Sequence, residues 1–136
     1  MHHTGTCHCG HVAFAFDAVI DELIQCNCSL CSKRNALMAS VPRTQFRITR
    51  AEAPLRQYRW NSGLARHYFC GTCGIYVYHQ RRSNPDMLSV NAMCIDTLAR
   101  DSLPVRQVDG QRRTVVAPAV DPSTSERDET GAPGTA

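Results

Sequence analysis

Apolar and polar residues alternate along most of the chain, and no long stretch repeats with the 3.6-residue period of a helix. Val12, Phe14 and Phe16 fall on one face of a predicted strand, with Ala13, Ala15 and Asp17 on the other. Short runs of the same kind follow at 36–41, 46–49, 55–60, 65–69, 75–79 and 88–92. Between them lie breakers: Pro42, Pro54, Asn61-Ser62-Gly63, Gly71, Gly74 and Ser83-Asn84-Pro85. Only 95–100 reads as helical, and it is hardly more than a turn. The pattern predicts an all-β fold, an antiparallel meander or a twisted pair of sheets with little helix.

From residue 117 onward the alternation stops. Residues 117–136 contain Pro118, Pro122 and Pro133, several Ser and Thr, and only Val120 among large aliphatic residues. Such a segment cannot bury enough apolar surface to offset its ordering entropy. A domain over 1–116 followed by a mobile or loosely docked tail over 117–136 is therefore expected.

Composition narrows the class. With 136 residues, 43% hydrophobic and 20% charged, the chain matches one ordinary globular domain. It has no apolar run near the ~18 residues of a membrane span. Met1 leads within a few residues into a cysteine motif without a charged-then-apolar leader, so a cytoplasmic protein with no membrane partner is expected. The formal charge is +3. Asp121, Glu126, Asp128 and Glu129 against Arg127 make the tail acidic and the body correspondingly basic. Seven thiolates around two zinc ions would bring the loaded chain close to neutrality, which argues against nucleic acid as a partner.

The eight cysteines change the picture most. Without a secretion signal, thiols gathered at close spacing point to metal ahead of disulfides. They fall into Cys7-His8-Cys9-Gly10, Cys26-Asn27-Cys28-Ser29-Leu30-Cys31 and Cys70-Gly71-Thr72-Cys73-Gly74, with Cys94 apart. On an extended C-x-C segment, residues i and i+2 point the same way. In C-x-x-C-G the chain folds into a knuckle whose glycine permits a positive φ. Cys7, Cys9, Cys70 and Cys73 make a closed tetrahedral set for a structural zinc, joining segments some sixty residues apart. Cys26, Cys28 and Cys31 leave a fourth position for water or substrate, the pattern of a catalytic zinc. Two alternatives stand beside this pairing. Cys94 could supply the fourth ligand of the central site, or Cys70 and Cys73 could close it instead. Iron fits less well than zinc, because no iron–sulfur spacing is present.

Taken together, G-x-C-H-C-G (from Gly5), C-x-C-x-x-C-x-K (from Cys26) and F-C-x-x-C-G (from Phe69) resemble the glutathione-dependent formaldehyde-activating enzyme and centromere protein V family, over about Thr4 to Asp109. Asn91, Cys94 and Asp96 resemble its late strand-and-turn segment. The resemblance implies a β-tent, in which small antiparallel sheets stapled by zinc meet at an angle. It implies the same two ligand sets: structural for Cys7, Cys9, Cys70 and Cys73, catalytic for Cys26, Cys28 and Cys31. It also implies a carbon–sulfur lyase-type activity that joins formaldehyde and glutathione to give S-hydroxymethylglutathione.

The functional expectation is a zinc-dependent enzyme acting on a small thiol–aldehyde adduct, with two zinc ions per chain and a small-molecule thiol such as glutathione as its partner. The alternative is a non-catalytic zinc-stapled module that binds protein or nucleic acid. In a third reading the exposed triad serves metal handling or redox sensing. Arg34 is a candidate for a glutathione carboxylate, against the plainer role of a solvated arginine. His67, on the same strand face as Phe69, and His79 could line the open site, but packing or solvent exposure is the expectation for both, and Cys94 is expected to pack as a small buried thiol. Tyr58, Trp60, Tyr68 and Tyr76 interleave with Arg59 and Arg66 as the two faces of a sheet. Exposed edge strands leave a homodimer open.

Overall fold

The computed structural model describes residues 1–60 and 62–112; the 116/117 boundary and the tail lie outside them. In chain order the strands are β1 (His2–Thr6), β2 (Val12–Asp17) and β3 (Leu23–Cys26). A single short helix α1 (Ser29–Arg34) follows, then β4 (Met38–Pro42), β5 (Phe46–Ala51), β6 (Leu55–Tyr58) and β7 (Arg66–Cys70). The series ends with β8 (Tyr76–Gln80), β9 (Met87–Asn91) and β10 (Val105–Val108). The protein is mostly β, as its alternation predicts. No helix among the described residues is long and apolar enough to cross a membrane.

The strands form two sheets. One has the order β1-β2-β5; the other runs β10-β3-β4-β9-β8-β7-β6. Among the described residues every pairing is antiparallel except β10 on β3, which is parallel. Between the sheets sits one core. Val12, Phe14 and Phe16 of β2 meet Val41, Val77 and Val90 of the larger sheet. Phe46 bridges the layers, its ring 5.4 Å from Phe14 and 4.7 Å from Tyr78. Full burial of each such aromatic is worth roughly 1.5–3 kcal/mol. The other face of β2 is closed as well: Ala13 and Ala15 are buried, and only Asp17 reaches solvent, beside His2 and Arg47.

Two elements depart from the sequence pattern. Residues 95–100 do not form a helix, because their backbone groups are used elsewhere. Ile95 bridges to Gly5, and Asp96 N–H donates to Thr4 C=O at 2.9 Å. Short 3₁₀ turns flank the segment at Ala92–Cys94 and Arg100–Ser102. The true helix is α1, inside the central cysteine motif. Cys28 caps it, with its sulfur accepting from Cys31 N–H, and Asn35 closes it in the left-handed region at φ 54°. Lys33 and Arg34 in its last turn suit the negative end of the helix dipole.

Candidate metal centres and the adjoining cavity

The first cluster lies where the sheets meet. Cys7 and Cys9 follow β1, Cys70 ends β7, and Cys73 sits in the turn to β8. Their four sulfurs lie within 4.8 Å of one another. Cys7 and Cys9 are 3.6 Å apart, and Cys9 and Cys70 are 3.7 Å apart. Four sulfurs at ~2.3 Å from a central ion require edges of about 3.8 Å, so the donor set fits a tetrahedral ion. Gly10 at φ 82° and Gly74 at φ 77° make the two knuckles turn. Backbone amides then point at sulfur: Val12 N–H at 3.4 Å from Cys7, Thr72 N–H at 3.4 Å and Cys73 N–H at 3.5 Å from Cys70.

The second cluster is local. Cys26 ends β3, Cys28 caps α1, and Cys31 lies in the first turn of that helix. These sulfurs also fall within 4.8 Å of one another. Cys28 N–H donates to Cys26 Sγ and Cys31 N–H to Cys28 Sγ, each at 3.4 Å. The C-terminal segment braces the motif from behind. Asn27 N–H donates to Val108 C=O, its amide side chain to Asp109, and Gln111 N–H donates back to Asn27 Oδ1. Gly110 presses so closely that a Cβ there would overlap Cys26 Sγ and crowd the Cys28 backbone. The parallel β10 strand is what carries this brace, and both were missed by periodicity reasoning.

Electrostatics show why each cluster wants a cation. Burial pushes the Cys31 thiol up, and the neighbouring Cys26 and Cys28 push it further. Burial also opposes ionisation of Cys28, but the amides and thiols of its neighbours outweigh it and lower the net value. At the first site Cys73 is drawn down to about 6 despite desolvation, chiefly by backbone hydrogen bonds, while Cys9 sits at about 11: amide donation at His11 favours its thiolate, but desolvation and its three cysteine neighbours together outweigh it. Each group thus holds one sulfur shifted toward the thiolate, Cys28 or Cys73, and one shifted away from it, Cys31 or Cys9. A bound cation removes that conflict.

A cavity of about 550 Å³ opens beside the second cluster. Cys26, Cys28 and Cys31 form part of its wall, together with Trp60, Arg81 and Arg82. Cys7, Cys9, Cys70 and Cys73 are not among the residues that line this cavity. A model of the family described as "Glutathione-dependent formaldehyde-activating enzyme" matches residues 2–108. The chain belongs to that family. It is also similar to a crystallised protein from Rhodobacter sphaeroides, with 36% identity, a TM-score of 0.68, and coverage of 76% of this chain and 99% of that one.

In this member of the glutathione-dependent formaldehyde-activating family, the remaining candidates find definite places. Cys94 stands outside both groups; it is buried, hydrogen-bonded near Asn91 and Tyr76 C=O, and pushed up to about 12 by burial and by Cys7 close at hand. Cys70 and Cys73 group with Cys7 and Cys9, away from the central triad. Arg34 is half-buried and does not line the triad cavity. It stacks 3.7 Å over the Tyr76 ring and approaches His67 Nδ1 at 3.2 Å. Tyr68 stacks on Tyr78, and Tyr76 is buried, so these aromatics serve packing. His67 and His79 line the triad cavity, the less favoured of the two expectations for them. The clue lies in pairing: a hairpin centred on Cys70–Cys73 sets His67 directly across from His79.

Proposed function

We propose that this chain makes and breaks the carbon–sulfur bond of a thiol–formaldehyde adduct, with glutathione as the thiol. In this reading Cys7, Cys9, Cys70 and Cys73 hold a structural zinc, and Cys26, Cys28 and Cys31 hold a catalytic one. The observation that carries it is a three-sulfur cluster in the wall of a cavity of about 550 Å³, a size suited to a small molecule. Zinc bound there would supply positive charge that keeps a thiol ionised near neutral pH or polarises an aldehyde oxygen.

The chain's own residues do the rest. Amides of Cys28 and Cys31 fix the sulfurs, and Gly110 keeps the segment behind them close. Trp60 offers an apolar wall, and Arg81 and Arg82 offer cations for the tripeptide carboxylates. Arg81 is already oriented by Ser89 Oγ at 2.8 Å and by Ser40 Oγ. In the forward direction sulfur attacks the aldehyde carbon, the C=O π pair moves to oxygen, and that oxygen takes the proton the thiol gave up. The reverse reaction breaks the same C–S bond and returns the pair to sulfur.

The test is magnetisation-exchange NMR between hydrated formaldehyde and the adduct methylene, with catalytic amounts of zinc-loaded protein. Exchange is expected to accelerate with protein concentration and to fall to the buffer rate in Cys28→Ser. A wild-type protein that leaves the rate unchanged rules this function out.

A further inference from the structure

Two histidines on the cavity wall have opposite hydrogen-bonding polarity. His67 and His79 face each other across β7 and β8, with ring centroids 4.6 Å apart. Arg34 Nη1 lies 3.2 Å from His67 Nδ1. A guanidinium has donors only, so Nδ1 accepts and carries no proton. Burial, helped by His79 and Arg34, holds the His67 pKa down at about 2, so the ring is neutral and its single proton rests on Nε2. That Nε2 is buried and meets no hydrogen-bond partner among the described residues.

His79 is fixed the other way round. Its Nδ1 lies 2.7 Å from Tyr76 Oη, and Tyr76 Oη lies 3.1 Å from Ser89 C=O. The carbonyl can only accept, so it takes the phenolic proton. The tyrosine oxygen must then accept from His79 Nδ1–H, leaving His79 Nε2 as a bare acceptor. Burial, with Arg34 and Arg81 nearby, holds this ring neutral as well, at about 3. The irregular register between Tyr68 and Phe69 admits one extra residue on β8, which brings Tyr76 and His79, three apart, onto one face.

We propose that His67 Nε2–H and His79 Nε2 together bind the hydroxyl of the adduct, one donating to its oxygen and the other accepting its proton. This rests on the function proposed above and deepens it, by assigning two positioning residues that read a group able to accept and donate at once. A thioether or an alkyl group cannot satisfy both nitrogens, and a thiol does so only weakly. The pair selects the hydroxymethyl end of the ligand. Because both rings resist protonation, they hold the hydroxyl and do not store its proton.

The test uses two stable tripeptide analogues in which CH₂ replaces the adduct sulfur, one ending in hydroxyl and the other in methyl. Calorimetric titration into the zinc-loaded protein should give at least about tenfold tighter binding of the hydroxyl form. His67→Leu should erase that preference while still binding the methyl form. Equal binding of the two analogues by wild type overturns this inference and spares the proposed function. Binding of neither overturns both. Long-range ¹⁵N–¹H correlation spectra of the same protein provide a readout that does not depend on the variant folding. Protonated Nε2 on His67 and protonated Nδ1 on His79 are expected, and the reverse tautomer on either ring refutes the pair.

Discussion

The two cysteine clusters are built differently, and the proposed function gives them different ends. The first draws two sulfurs from beside β1 and two from the β7–β8 turn, so it ties one sheet to the other. The second takes all three sulfurs from six consecutive residues, Cys26 to Cys31, and ties together nothing distant. A site that closes a long loop converts ion affinity into folding energy. A site built on one strand end and one helical turn can lose its ion with the fold intact, and its missing fourth side faces a cavity. In the proposed function, ligand number and chain separation therefore divide stability from chemistry.

That contrast predicts a large difference between single substitutions. Cys70→Ser should remove the structural ion and unfold the domain, since such sites carry on the order of 10 kcal/mol and whole domains only about 5–15 kcal/mol. Circular dichroism and metal analysis of the purified variant would check this; a folded Cys70→Ser protein would erase the distinction. Cys28→Ser should lose one ion and the activity while melting within a few degrees of wild type, as a thermal scan beside metal analysis would reveal. Gly110→Ala should act only on the second site, because its new methyl group strikes Cys26 Sγ. Competition with a chelator should give about tenfold weaker metal at the triad, or more, and unchanged affinity at the other site.

Acid provides a milder probe of the cavity wall. His67 and His79 ionise well below the ordinary histidine value of 6.5. The unfolded chain therefore binds protons first as pH drops. Stability from these neutral rings is complete above about pH 6.5 and drains toward about pH 3, at up to ~1.4 kcal/mol per pH unit for each ring. His67→Gln should flatten the decline in urea midpoint between pH 7 and pH 5 by about one proton's worth relative to wild type. Identical slopes in the two proteins would mean that His67 is not held neutral.

The strands β2 and β4 to β9 were legible because alternation and turn residues mark them directly. Less visible were β3 and β10, four residues each, which pair in parallel across a long separation and carry no hairpin signal. Helix α1 is six residues long and capped by a cysteine in place of the usual Ser, Thr or Asp, so neither its period nor its cap announces it. The cysteine groups could be read from spacing because C-x-C and C-x-x-C fix sulfur positions locally. His67, His79, Trp60 and Gly110 could not, since register and the fold of the C-terminal segment bring them to the triad.

The most direct measurement is zinc X-ray absorption on the loaded protein, combined with metal counting. Two ions sharing seven sulfurs, with a light atom completing one shell, are predicted. Eight sulfurs across the two ions, or one ion alone, would contradict the division between a closed staple and an open centre.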